Sequence, residues 1–412
     1  VTLSEALMEA YTNNAELNAE RENISVSKEN LNISKSEFLP SITLEGSKSS
    51  EDTSKLTNQD GSNATITNIS PETRSVKIEQ KIFQGFGGIA DYKKSQIGLL
   101  LADAKLLQAE QKTLLKAVEA FSGLIFANEK FSINERNVNL SERQVETDRI
   151  RLDRGQVSVA DLAQSESSLA EAQAKFIQAK NDVITAKLNY KNVIGPIQES
   201  FYLNKDINLN LKIPLTLENA IQLSKSNNPD LIIAKLEYEQ SERDVQIAQS
   251  DLAPSATLSF ESKKTDDLSS TYDQQDKETV EATIKWPLFS GGKNYAGLSK
   301  SKNLRNRKKL LLDNAFKVND TNVASAWSNM KSTASMLESV KLQVKAAEIA
   351  NEGITAEYES GKGRSTLDVI QSNSILLNSQ VSLANSERNY LLSQFKLLES
   401  VGLLTTKHLQ IN

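Results

Sequence analysis

Internal repetition constrains this chain more than any other feature. Thr2-Leu3-Ser4-Glu5-Ala6 returns as Thr216-Leu217-Glu218-Asn219-Ala220, 214 positions later. The same interval relates Asn13-Asn14 to Asn227-Asn228, Leu17 to Leu231, Ser36 to Ser250 and Pro40-Ser41 to Pro254-Ser255. It falls to 206 for Phe83 and Phe289, Gly85 and Gly291, Gly155 and Gly361. It then becomes 207 for Asp161 and Asp368, Gln164 and Gln371, Gly195 and Gly402. Three registers held in order along the whole chain identify a tandem duplication. The two changes of interval mark length differences between Pro40 and Phe83 and within 361–367, both rich in turn-forming residues. The expected organisation is a first repeat at 1–195, a linker at 196–213, a second repeat at 214–402 and a tail at 403–412.

Each copy spells out the same elements. Thr2 and Thr216 stand as N-caps of amphipathic helices expected at 3–36 and 217–250. The period then changes from helical to alternating. Ile42 and Leu44 flank Thr43, and Val76, Ile78, Gln80 and Ile82 alternate with Lys77, Glu79 and Lys81. In the second copy Ala256, Leu258 and Phe260 form one such series, and Val280, Ala282, Ile284 and Trp286 another. Period two with one apolar and one polar face is a strand pattern. Each copy therefore carries two strands of about ten residues, joined by polar loops at 46–72 and 262–278.

The glycines of Phe83-Gln84-Gly85-Phe86-Gly87-Gly88 and Phe289-Ser290-Gly291-Gly292 permit a sharp turn into long helices at 89–152 and 294–359. The chain has seven prolines, none between Pro71 and Pro196 and none after Pro287, so nothing interrupts those helices. Gly155, Gly361 and Gly363 end them. Return helices follow, with Leu162, Leu169, Phe176, Val183 and Tyr190 at heptad spacing in the first copy. Val369, Leu376, Leu383, Tyr390 and Leu397 repeat it in the second. Small partners (Ala172, Ala179, Ala186; Ser372, Ser379, Ser386, Ser393) accompany them, as in knobs-into-holes packing. The fold class is mainly α with a small β part, a long coiled-coil framework plus four strands.

Four strands with one apolar face cannot stand alone in lipid, because open edges leave backbone groups unsatisfied there. They are too few for a barrel, whose smallest membrane forms have about eight. Several chains must contribute to one barrel, with Phe83, Trp286 and Phe289 as its aromatic girdle. Lys77, Glu79, Lys81 and Lys285 then line its wet interior.

Composition removes other classes. There is no cysteine, one histidine (His408, taken as an ordinary surface residue) and a net charge of −5. That excludes zinc or iron–sulfur centres and gives no basis for bulk nucleic-acid binding. No apolar run of ~18 residues offers a membrane-spanning helix. No nucleophile–base pair, phosphate loop or metal-ligand spacing is present, so neither an enzyme nor a cofactor is expected. The chain opens without a signal-peptide pattern, so any such segment is expected to have been removed already or never to have existed.

The motifs Thr-Leu-x-x-Ala at Thr2 and Thr216, and Asn-Asn-x-x-Leu at Asn13 and Asn227, carry a resemblance. So do Leu39-Pro40-Ser41, Ala253-Pro254-Ser255, Trp286-Pro287-Leu288-Phe289-Ser290-Gly291-Gly292, and Tyr358-Glu359-Ser360-Gly361 followed by Leu367-Asp368-Val369. Together they resemble the TolC-like outer membrane efflux protein family over essentially the whole chain. That resemblance implies a homotrimer: four strands per chain close a twelve-stranded barrel, and twelve helices continue as a periplasmic tunnel. The segments 196–213 and 403–412 form an equatorial collar. It also implies location in a Gram-negative outer membrane, and partnership with a periplasmic adaptor and an inner-membrane pump. The family's tunnel is shut at its periplasmic tip. By residue match, Tyr358 and Asp161 correspond to a Tyr–Asp contact between neighbouring coils, Arg364 to an arginine that ties the turn down, and Asp368 to the first lumen aspartate. The second lumen aspartate falls on Gln371, and Gln164 is equally neutral. The alternative from another class is a soluble periplasmic coiled-coil adaptor or structural protein.

Overall fold

The computed structural model describes residues 1–412 except 67, 198–201, 206–208, 210 and 412. The elements follow the duplicated order. The first copy contains α1 (Leu3–Asn13), α2 (Ala15–Ser36), β1 (Ser41–Lys48), β2 (Glu72–Gln84), α3 (Gly87–Asp153) and α4 (Val159–Val193). The second contains α5 (Leu217–Asn227), α6 (Pro229–Ser250), β3 (Ser255–Asp266), β4 (Gln274–Lys285), α7 (Lys293–Glu359) and α8 (Thr366–Val401), and a short α9 (Thr406–Leu409) closes the chain. At 1.5 Å per residue the 67-residue helices α3 and α7 are each about 100 Å long.

The helices expected at 3–36 and 217–250 are each broken in two, at Asn14 and Asn228. Both asparagines take extended backbone angles. Their side chains cap the next helix: Leu17 N–H donates to Asn14 Oδ1 at 3.1 Å and Asp230 N–H to Asn228 Oδ1 at 2.9 Å. Pro229 occupies the first position of α6, where its missing N–H costs nothing. The loop expected at 262–278 shrinks to 267–273, because β3 and β4 continue through polar residues paired in register from Ser255↔Lys285 to Asp266↔Gln274. Backbone pairing there persists without any apolar signal.

Two compact units are formed, one from 1–22, 104–232 and 314–412, the other from 23–103 and 233–313. In the first, Leu3, Leu7, Leu114, Phe121, Leu124, Tyr190, Phe395 and Leu398 make the main core. The duplication is visible in its contacts. Asn14 Nδ2 donates to the Val193 carbonyl and Asn228 Nδ2 to the Ser400 carbonyl, at 3.4 and 3.2 Å. Most of the small heptad partners are buried (Ala172, Ala179, Ser372, Ser379, Ser386 and Ser393), as are Tyr190, Val369 and Leu397 of the large ones, whereas Leu162, Leu169, Leu376 and Leu383 are half-buried. His408 is also half-buried, not a simple surface residue. Its Nε2 lies 3.2 Å from the Leu211 carbonyl, joining tail to linker. Of the linker, residues 198–201, 206–208 and 210 lie outside the described residues. Lys205 bridges Glu129, at 2.7 Å, and Glu387.

Where the end of α8 meets the start of α6, burial and the nearby Asp230 and Glu119 carboxylates push Glu399 up to about 7, against the pull of Lys396. Glu16, Glu20, Lys105 and Lys112 line the same cleft. A carboxyl whose folded pKa is raised stabilises the fold below the unfolded value near 4.5. That contribution is lost as pH rises through about 7. Thermal unfolding midpoints should therefore fall between pH 5 and 8 in the wild type and fall less in Glu399→Gln. The difference is about 2 kcal/mol after allowing for partial exposure. Parallel pH profiles for the two proteins would refute this.

In the second unit the sheet runs β1-β2-β3-β4, antiparallel throughout. Register places Ile42, Ile78, Phe260 and Val280 in one row, and Thr43, Lys77, Glu261 and Thr279 in the next. One face is therefore apolar and the other charged. The apolar face is open: Ile42 is 68% exposed, Leu44 78%, Val280 72% and Ile284 77%. Beside the sheet's ends, Phe83 packs edge-on to Phe86 at 5.1 Å. Trp286 donates its Nε1–H to the Leu252 carbonyl at 3.1 Å, and Phe289 is largely exposed.

Candidate functional site

The candidate site is the end of the first unit where α3 turns into α4 and α7 into α8. Both turns are built alike. The N–H groups of Gly155 and Gln156 bond the carbonyls of Leu152 and Arg151, and those of Gly361 and Lys362 bond Tyr358 and Glu357, at 2.8–3.1 Å. Gly155, Gly361 and Gly363 have φ of +69°, +74° and +80°, the left-handed region that ends a helix with least strain in glycine. The return helices start with matching capping boxes, Ser158 with Asp161 and Ser365 with Asp368. In each, the serine N–H and hydroxyl bond the aspartate and hold its carboxyl below the usual range.

Tyr358 is nearly fully buried, 3% exposed, and its hydroxyl donates to Asp148. Asp148 is 0% exposed. It also accepts from the Ser165 hydroxyl, from Gln144 Nε2 at 3.0 Å and from the Thr366 hydroxyl at 3.5 Å. One buried carboxylate thus joins α3, α4, α7 and α8. Burial raises the Tyr358 pKa, and the hydrogen bond to Asp148 adds to it.

Asp161, matched to Tyr358 from sequence, is instead occupied with Ser158, although both residues line one cleft of about 840 Å³ with Arg364. Arg364 donates Nε–H to Glu357 at 2.6 Å, an ion pair within its own turn. Asp368 is half-buried beside it. Gln164 and Gln371 share a separate cleft of about 370 Å³ between α4 and α8. Asp148, Ser165, Thr366 and Arg151 were missed by sequence reading. Asp148 has one available signal: among the heptad-spaced positions of α3 it is a charge on the buried face, seven after Ser141. Among the described residues no cluster suits a metal ion.

The family model for outer membrane efflux proteins matches residues 6–195 and 220–403. The outer membrane efflux protein BepC of Brucella suis is 25% identical over 99% of this chain and 87% of its own length. The alkaline protease secretion protein AprF of Pseudomonas aeruginosa is 19% identical over 82% of this chain and 71% of its own. Among solved structures, the Campylobacter jejuni outer membrane channel CmeC superposes with a TM-score of 0.85 at 15% identity. It covers 97% of this chain and 85% of its own. The Vibrio cholerae outer membrane protein VceC gives 0.81 at 16%, over 97% and 96%. At such identities the superpositions establish the fold, that of a long helical channel framework with four strands per chain. The family match covers both copies of the duplication in order, and the chain belongs to the outer membrane efflux protein family.

Proposed function

We propose that three copies of this chain form a passive exit duct through the outer membrane, serving tripartite efflux or type I secretion. The observation that carries this reading is the sheet. It has an exposed apolar face, a charged opposite face, and outer edges at β1 and β4 with no partner among the described residues. Such edges are satisfied in lipid only by closure, and twelve strands from three chains provide it. The repeats at 1–195 and 214–402 supply the tunnel wall, and 196–213 with 403–412 its collar. Phe83, Trp286 and Phe289 serve as the interfacial aromatics.

The tip is the gate. At rest Asp148 holds the four helices of each chain together through Tyr358, Ser165 and Thr366. Asp161, Asp368, Gln164 and Gln371 stand near the entrance, and a periplasmic adaptor with its inner-membrane pump opens it. Among the described residues no constellation calls for catalysis, in keeping with a duct that is passive in itself. On gentle extraction the protein should require detergent and run as a complex of three 45.5 kDa chains. A single chain, stable in detergent-free buffer, would favour the soluble-adaptor reading instead.

A further inference from the structure

The hydroxyl contacts with Asp148 and with Thr366, the latter at 3.2 Å, are not all that holds Tyr358. Arg151 lies one turn beyond Asp148 on α3. Its guanidinium carbon sits 4.1 Å from the centroid of the Tyr358 ring. Its Nη2 donates to the carbonyls of Tyr358 and Glu359, at 3.1 and 3.4 Å. Those carbonyls belong to the last turn of α7, where carbonyls lack donors from within the helix and the helix dipole favours a cation. The last turn of α7 contains no basic residue of its own. The missing cation comes from another helix, and it stacks on the same residue whose backbone it caps.

We propose that Arg151 is a positioning residue of the tip gate: it clamps ring and backbone of Tyr358 together, so that the hydroxyl points at Asp148. The inference rests on reading the tip as a closed gate. A planar fork is needed for this, because the guanidinium must lie against the ring while reaching two carbonyls. Lysine supplies the charge and N–H donors but not the plane that lies against the ring. The neighbouring cations do other work: Arg364 pairs with Glu357, and Lys362 follows the turn with only its backbone N–H bonded to Glu357. Arg151 acts through Tyr358, so its effect depends on the Tyr358–Asp148 bond being available to direct.

The test uses the purified full chain with Arg151→Gln, Arg151→Lys and Asp148→Ala, singly, and with Arg151→Gln combined with Asp148→Ala. Single-channel conductance in planar bilayers and the thermal unfolding midpoint in detergent are read together. Arg151→Gln should raise mean conductance several-fold with the unfolding midpoint essentially unchanged. Arg151→Lys should fail to restore the closed level. In the Asp148→Ala background, Arg151→Gln should add less than about twofold, as expected for residues acting through one contact. If Asp148→Ala opens the channel and Arg151→Gln leaves it at the wild-type level, the inference is overturned while the gate reading stands. A full additional increase in the double variant also overturns it, because Arg151 then acts independently. If Asp148→Ala itself leaves conductance unchanged, the gate reading falls and this inference with it.

Discussion

With the tip as the proposed gate, Asp148→Ala should raise channel conductance several-fold, the largest functional change expected from any single substitution. Asp148 is completely buried and accepts hydrogen bonds from Tyr358, Ser165, Gln144 and Thr366. Hydrogen bonds to a charged acceptor contribute about 1.5–3 kcal/mol each. Removing the acceptor strands several buried donors, a loss of about 3–5 kcal/mol. That loss is local to the tip, because the main core of the same unit lies around Leu3, Leu114, Phe121 and Phe395, and shares none of these residues. Helix separation at the tip, with water reaching the freed donors, is the cheapest response. Tyr358→Phe removes one donor only and should open the channel less. Planar-bilayer recordings of the three proteins, with trimer yield as control, check the order: Asp148→Ala above Tyr358→Phe above wild type. Equal conductance in all three would place the gate elsewhere.

Gly402→Ala should produce the largest loss of stability. Gly402 caps α8 at φ +85°, and its N–H bonds the carbonyls of Glu399 and Leu398. A Cβ there would lie 2.2 Å from the Asn227 carbonyl oxygen and 2.5 Å from the Asn228 nitrogen. Neither atom can move freely, because Asn228 is bonded to both Asn319 and the Ser400 carbonyl. Left-handed backbone alone costs an alanine about 1–2 kcal/mol; overlap with main chain raises the expected loss to about 3–5 kcal/mol. Gly155→Ala is the internal control. It shares the left-handed conformation at φ +69°, but nothing lies within 4 Å of its added Cβ. It should therefore lose only about 1–2 kcal/mol. Denaturant unfolding of the two variants separates the backbone term from the packing term, and equal losses would contradict the contact geometry.

What the sequence discloses follows from periodicity. The duplication, the four strands and the two long helices all rest on patterns that local physics imposes, and they stand in the structure within a few residues. The breaks at Asn14 and Asn228 do not show in the hydrophobic pattern, which runs through both: Leu17 and Leu231 are buried just beyond. The turn is decided by asparagine side chains finding carbonyls of the opposite helices, Val193 and Ser400, which no local reading contains. The strand extensions through Lys263 and Lys277 are hidden for a related reason, since a ladder neighbour supplies the bonds whatever the side chains are.

At the tip, the turns themselves are legible as Gly155, Gly361 and Gly363. Tyr358 is legible too. Its partner is not, because a resemblance at the motif level places an aspartate near the turn without saying on which side. Asp161 lies just after the turn and is consumed by its own capping box. Asp148 lies before the turn, facing the helices. Only packing distinguishes them.

If three chains each lend four strands to one closed barrel, as proposed, β4 of one copy is the neighbour of β1 in the next. The chain contains no cysteine, so disulfide trapping has no background. Cysteines introduced in pairs on the charged face, one at Thr43 or Glu45 of β1 and one at Lys277, Thr279 or Glu281 of β4, should form disulfides between copies in the outer membrane. Pairing requires Cα atoms within about 7 Å, so only the pairs in register should react. Non-reducing gels should then show a covalent product that stops at three chains. A product that stops at two chains, or no cross-link between copies from any pair, would contradict the shared barrel.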